Sequence, residues 1–364
     1  MKKLSVFLVL VLLLSLFAGC KQEPTSTTAA PVTTQAAATT TAPVTTEAVT
    51  TAAPVTTEAA VTTEAATQTP AETYSPEELA AVHPMLFHVT GENGREMYLF
   101  GTIHVADKRV DVALSKLAPI LDGCDALAVE FDLVAFEQDL EAQSASLVQF
   151  LYTDGTTIED HMPQELYQRA AQLLQEAGVS PMGARVFKLS MWSTLVEQAA
   201  LMTRTDFDME VGMDRSLIHY CYDHKIPVRD VESPELQYNM MAGFSDELSL
   251  LLIENTLDNL EEYSEALGKL YGAWLDGDYD NLLAVLNEES EDDEELTPEQ
   301  EALLEDYNDQ MLTQRNLGMR DRALEWLEAG DKVFFAVGAA HLMDEDGLVT
   351  LLRAEGYTVE QVEY

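Results

Sequence analysis

Gly-x-x-His occurs twice, far apart in the chain, each time behind an apolar run. Met97-Tyr98-Leu99-Phe100 leads into Gly101-Thr102-Ile103-His104, and Val333-Phe334-Phe335-Ala336-Val337 leads into Gly338-Ala339-Ala340-His341. A glycine at the end of a strand permits a sharp exit because it has no Cβ. The histidine three residues later is then presented at the rim of the sheet, where open α/β sheets bind ligands. Two further apolar runs end in carboxylates, Leu127-Ala128-Val129-Glu130 and Val231-Glu232. A charge there is costly unless it is paired or coordinated. If the strands run parallel, two imidazoles and two carboxylates meet at one edge. That is a nitrogen/oxygen donor set for a divalent transition metal such as zinc, manganese, iron or cobalt. Such an ion acidifies bound water and polarises a carbonyl. A carboxylate not used as a ligand can take the proton from that water. His104 and His341 are the expected ligands; Glu130 and Glu232 are each open to either part. Taken singly, a strand-end glutamate is more often the first solvated residue of a loop. The coincidence of four strand ends carries the expectation.

Other polar residues read more plainly. Arg315-Asn316 sits in a long acidic helix, where spacing alone makes the arginine a partner for surface acids; the alternative is a clamp on a substrate carboxylate or oxyanion. Asp214, in Gly212-Met213-Asp214, reads as a helix cap before a ligand. Cys124 and Cys221 read as small apolar residues, with a disulfide between them as the alternative. The chain has no Cys-x-x-Cys, which argues against a thiolate zinc site. Trp192, Trp274 and Trp326 lie among apolar residues at helical spacing and belong to the core. Residues 288–295 are all acids except Ser290. They read as a solvated loop, since the Asp-x-Asp-x-Asp-Gly spacing of a calcium loop is absent.

The elements that must position these residues are legible in outline. Met85–Thr90 and Arg95–Phe100, separated by Gly91-Glu92-Asn93-Gly94, predict a β-hairpin. Val110–Leu121 predicts a helix, Asp125–Phe131 a buried strand, and residues 133 to about 222 a helical stretch. Ile226–Val231 predicts a strand, and Glu247–Asn287 two helices broken near Gly277. Thr297-Pro298-Glu299-Gln300 is a helix start with a capping threonine, proline at the first position and glutamine at the third; its helix is expected to reach about Leu327. Lys332–Val337 predicts a strand, Gly347–Glu355 a helix and Tyr357–Val362 a last strand. Strands alternating with helices predict an α/β fold: a central mixed sheet with flanking helices and a large helical insertion, preceded by a disordered stalk.

The stalk and leader set the domain plan. Lys2 and Lys3, the apolar run Leu4–Phe17 and the ending Ala18-Gly19-Cys20 read as an export signal over residues 1–20. Leu16-Phe17-Ala18-Gly19-Cys20 resembles a bacterial lipobox, which makes Cys20 the expected lipidation site and the outer face of the cell membrane the expected location. Residues 21–71 are Thr/Ala/Pro-rich, with Ala-Pro-Val-Thr-Thr repeated at 30–34, 42–46 and 53–57. With almost nothing to bury, this segment is expected to stay disordered. At ~3.1 Å per residue its reach is about 150 Å. Residues 72–364 form the folded domain. The net charge of −44 lies almost wholly there, which excludes nucleic acid as a partner and favours cations and basic peptides.

The segments around both histidines, Tyr98–Val105 and Val337–Met343, resemble the two signature segments of the TraB/GumN family. That family includes the PrgY pheromone-shutdown proteins and the animal TIKI proteins. Leu127–Glu130, Gly212–Asp214, Val231-Glu232 with Gln237, Ala273–Asp278, Arg315-Asn316 and the ending from Gly347 to Val359 extend the resemblance over about residues 84–364. Met213 and Ser233 stand where isoleucine and threonine are expected, changes that leave the chemistry in place. The resemblance implies an erythromycin-esterase-like sheet. It also implies His104, Glu130, Glu232, Arg315 and His341 as site residues, with Gly101, Gly338, Asp214 and Asn316 in supporting parts. Animal members are described as metal-dependent proteases, and PrgY is linked to blocking a peptide pheromone. The expectation is therefore a tethered extracytoplasmic metal-dependent hydrolase, a peptidase with a peptide or protein substrate. The alternative is a surface protein that sequesters peptides without cleaving them.

Overall fold

The structure is a computed structural model that describes residues 74–287 and 296–364. The export signal, Cys20, the repeat segment and the acidic run 288–295 lie outside the described residues. Six strands form one sheet: β1 (Leu86–Thr90), β2 (Glu96–Thr102), β3 (Ala126–Val129), β4 (Val228–Asp230), β5 (Val333–Gly338) and β6 (Thr358–Gln361), in the order β4-β3-β5-β2-β1-β6. β4, β3, β5 and β2 are mutually parallel, and β1 runs antiparallel to both β2 and β6. The fold is thus the expected mixed α/β sheet with many helices.

Position in the sheet follows from composition. β5 reads Val-Phe-Phe-Ala-Val-Gly with every residue buried, the continuous apolar run of a strand covered on both faces. It occupies the centre, between β3 and β2. β6 buries only Val359 and takes an edge. The β1–β2 hairpin pairs Leu86 with Phe100 and Thr90 with Glu96, around a short 3-10 turn at Glu92–Gly94.

The crossover between β2 and β3 is the helix Val110–Leu121, which buries Val110, Ala113, Leu117 and Leu121 along one stripe. Between β3 and β4 lies a helical region with its own core around Trp192 and Leu195, joined by Tyr238 from the helix after β4. The Glu247–Asn287 stretch forms three helices, not two: Asp246–Asp258, Tyr263–Asp276 and Tyr279–Leu286. The break at Gly277 is as expected, with φ +63° and a backbone that passes close to His83 O. The extra break follows Asp258 and carries no Gly or Pro to announce it.

The Thr297 start is a full capping box: Gln300 N–H donates to Thr297 Oγ1 at 3.3 Å, and Thr297 N–H donates to Gln300 Oε1 at 2.9 Å. The rod that follows is Pro298–Asn308, a π turn at Asp309–Thr313, and Gln314–Ala329. One extra residue in a turn rotates the later face by about 100°, one residue's share of a 3.6-residue turn. Arg315 and Asn316 follow directly after it, both buried.

Candidate functional site

Because β2, β3, β4 and β5 are parallel, their carboxyl ends share one edge of the sheet. β2 ends at Thr102 and delivers His104; β3 ends at Val129 and delivers Glu130; β4 is followed by Val231 and Glu232; β5 ends at Gly338 and turns through a short 3-10 segment to His341. Arg315 and Asn316 reach the same place from the long helix. Gly338 marks the meeting point. A Cβ on it would stand 3.3 Å from Glu130 Oε1, 3.4 Å from His104 Nε2 and 3.7 Å from His341 Cδ2. A side chain here would press on Glu130 and His104 by a few tenths of an ångström.

Each histidine is anchored through Nδ1. His104 Nδ1 lies 2.8 Å from Asp214 Oδ2, and the other Asp214 oxygen accepts from Thr102 Oγ1 at 2.6 Å. His341 Nδ1 donates to Asn316 Oδ1 at 2.6 Å, and Asn316 Nδ2 donates to the Asp346 carbonyl at 2.9 Å. The second bond fixes which end of the amide faces the ring and so places the proton on Nδ1. Both rings therefore turn Nε2 toward the site. His341 Nε2 is buried without a hydrogen-bond partner, 3.8 Å from Glu130 Oε1. Asp214 is not the helix cap that its position suggests. Gly212 occupies the cap of the Met213–His224 helix, and Asp214 in the first turn points to the site. Gly212 is itself constrained, since a Cβ there would stand 2.2 Å from His104 O.

The two carboxylates are not free. Arg315 lies between them with 3 % of its side chain exposed. Its Nη2 donates to Glu130 Oε2 at 2.6 Å and to Glu232 Oε2 at 2.7 Å, and its Nε donates to Glu232 Oε1 and Oε2 at 3.1 and 3.0 Å. Nη1 donates to the Met311 carbonyl in the π turn at 3.2 Å. Gln237 Nε2 bridges the same pair, donating to Glu130 Oε2 at 3.0 Å and Glu232 Oε2 at 2.9 Å. Glu130 Oε1 accepts from Gly338 N–H at 3.0 Å and is the carboxylate oxygen that faces the histidines.

These contacts set the charges. For Glu130 the largest single influence is burial, which favours the neutral acid; Arg315, then the two histidines and the Gly338 N–H, together outweigh it and bring the pKa down to about 2. Burial and then Arg315 push His341 down to about 3, so this imidazole is neutral. Burial also works to discharge His104, but Asp214, helped by Glu130, prevails and holds its pKa above the ordinary histidine value. One neutral imidazole, one chargeable imidazole and an anchored carboxylate thus face a common point.

The Nδ1-anchored tautomers and the unpartnered Nε2 of His341 suit nitrogen ligands to a divalent ion, because the far ring nitrogen of such a ligand is held by an outer partner. Among the described residues, however, no group of three or more His, Cys, Asp or Glu side chains is arranged to hold a metal. Cys124 and Cys221 are free thiols, the first half-buried and the second buried.

A family model described as the TraB/PrgY/gumN family matches residues 85–361. The chain belongs to that family. The match begins just before β1 and runs to the last residue of β6, so the whole sheet and both Gly-x-x-His segments fall within it. No curated protein and no solved structure matches the chain significantly.

Every expected site residue in the described part falls at this edge. His104, Glu130, Glu232, Arg315 and His341 come together, with Asp214, Asn316, Gly101 and Gly338 against them. Thr102, which orients Asp214, escapes the sequence reading although it lies inside the first Gly-x-x-His. Its only signal is a hydroxyl at the last position of an otherwise apolar strand. Trp274 is core as expected, yet it also supports the site: its Nε1–H donates to the Gly101 carbonyl at 2.9 Å.

Proposed function

We propose that this TraB/PrgY/gumN protein is an exported, lipid-anchored hydrolase of peptide bonds, with His104 and His341 holding a divalent metal ion. The observation that supports it most is the pair of Nδ1-anchored imidazoles whose Nε2 atoms and Glu130 Oε1 converge on the space above Gly338. A bound ion there would supply Lewis acidity and an acidified water. Glu130, held near 2, is a weak base and suits a ligand or electrostatic part. Glu232 has both oxygens committed to Arg315 and acts by holding the guanidinium in place. His104, with Nδ1 against Asp214, would offer Nε2 to the ion, and the Asp214 carboxylate would strengthen that donation. Cys20 is the proposed anchor, and residues 21–71 the tether. No helix among the described residues is long and apolar enough to cross a membrane.

The test is turnover of a peptide library by the purified chain, with and without EDTA and with added manganese, cobalt or zinc. His104→Ala and His341→Ala should each abolish turnover while melting within a few degrees of the unsubstituted protein. Turnover unaffected by both substitutions would end the reading. A second reading has one observation in its favour. Both carboxylates are engaged by Arg315 and Gln237, which leaves no uncommitted acid to act as base and suits a protein that holds peptides uncut. In that case the library shows peptides retained intact, with a bias toward basic ones from the acidic surface.

A further inference from the structure

A cavity of about 70 Å³ opens beside the two histidines. One water molecule needs about 10–15 Å³, so the space is several waters large. The walls are Leu267, Leu270 and Trp274 from one helix, Leu282 and Leu286 from the next, and Leu312 from the π turn. His104 and His341 form the remaining side, with Thr102 and the Gly338–Ala340 backbone at the floor. Apart from the two imidazole Nε2 atoms on the one side, the side-chain polar atoms around it are engaged. Trp274 Nε1 donates to Gly101 O, and Thr102 Oγ1 donates to Asp214. Neither Glu130 nor Glu232 lines the cavity. Along the leucine and indole walls water has few partners and a charged side chain finds no counter-charge, whereas an apolar side chain finds matching surface.

We propose that this cavity is a specificity pocket for an unbranched or γ-branched apolar side chain, leucine or methionine in kind, of the residue next to the bond the imidazoles face. The proposal builds on the hydrolase reading for what lies beside the bound residue. It separates two ranges of recognition. The acidic surface acts at long distance on the whole peptide, and the pocket selects at contact. The absence of a side chain at Gly338 keeps the passage between the imidazoles and the pocket open.

Two measurements on the full chain decide it. In the first, kcat/KM is profiled over a peptide library. Leucine or methionine at one position should exceed alanine, lysine and glutamate there by about tenfold or more, the discrimination that an apolar pocket supplies per few methylenes. In the second, binding of N-acetyl-leucine amide is compared by NMR titration with that of the lysine and glutamate amides, which needs no cleavage. The leucine amide should bind at least about tenfold more tightly, Leu312→Trp should abolish that preference by filling the space, and Leu270→Lys should shift it toward the glutamate amide. Both leucines are only half-buried, so either replacement reports even if the other disturbs folding. Cleavage with no apolar preference overturns the pocket and leaves the hydrolase reading. An apolar preference in binding without any cleavage sustains the pocket and removes the hydrolase reading. Equal binding of the three amides overturns the pocket whatever the turnover.

Discussion

Replacing Arg315 with methionine would leave two carboxylates in the interior without their cation. Glu130 and Glu232 expose only 6 % and 7 % of their side chains, and after the replacement their remaining donors are Gln237, shared between them, and the Gly338 N–H on Glu130. Removing one partner of a buried ion pair costs about 3–5 kcal/mol. A second route gives a similar size. Arg315 is the largest of the influences that lower Glu130 to about 2 from its ordinary 4.5; at roughly 1.4 kcal/mol per unit, that depression is about 3 kcal/mol of stability. The sign follows from the depressed value. The contribution is present above the unfolded-state pKa and is lost as pH falls from 4.5 toward 2. At roughly 2–4 °C per kcal/mol for a chain of this size, Arg315→Met should melt about 10 °C lower at pH 7. The gap should narrow steadily below pH 4.5. Adding Glu130→Gln and Glu232→Gln to the same variant should recover most of the loss, because amides carry no charge to strand. Calorimetry across pH 2–7 reads all three. A variant that melts within 2 °C of the unsubstituted protein at pH 7, with parallel pH curves, would show that the network contributes no net stability.

The remaining predictions concern the groups around this network. Asp214→Asn leaves His104 buried but removes the carboxylate that holds its charge, so the His104 pKa should fall to or below the ordinary 6.5 in an NMR titration. Gly212→Ala drives a Cβ to 2.2 Å from His104 O and should cost about 3 kcal/mol or more by urea unfolding. Gly268→Ala, in a helix interior with nothing within 4 Å, should instead stabilise by about 0.5–1 kcal/mol. Glu197 is buried in the helical core, where Tyr263 and Thr256 donate to it, and burial holds its pKa above 4.5. The folded protein therefore keeps a proton that the unfolded chain loses, and stability falls as pH rises from 4.5 through the folded-state value. Glu197→Gln should flatten that part of the stability profile.

What could be read from the residues alone was whatever depends on near neighbours. The apolar runs Val333–Val337 and Leu127–Val129 announce buried strands because each residue must lie against others on both faces. Thr297, Pro298 and Gln300 announce a helix start because all three groups act within one turn. The two Gly-x-x-His segments announce a site because a histidine behind a strand end has few other uses. The convergence of these segments was an expectation conditional on parallel strands, and the β4-β3-β5-β2 order supplies that condition.

The partnerships belong to the tertiary structure. Arg315 reads as one more surface ion-pairing residue in an acidic helix until a π turn rotates it inward, onto two glutamates from two different strands. Asp214 reads as a cap until Gly212 takes the cap and frees it for His104 and Thr102. Leu282, Leu286 and Leu312 carry no local mark of a site, and only the packing of their helices leaves a space between them beside the imidazoles. Each of these outcomes turns on distances between residues remote in sequence. Local periodicity and capping carry no record of such distances, because the same residue types satisfy the same local rules whichever remote partner they finally meet.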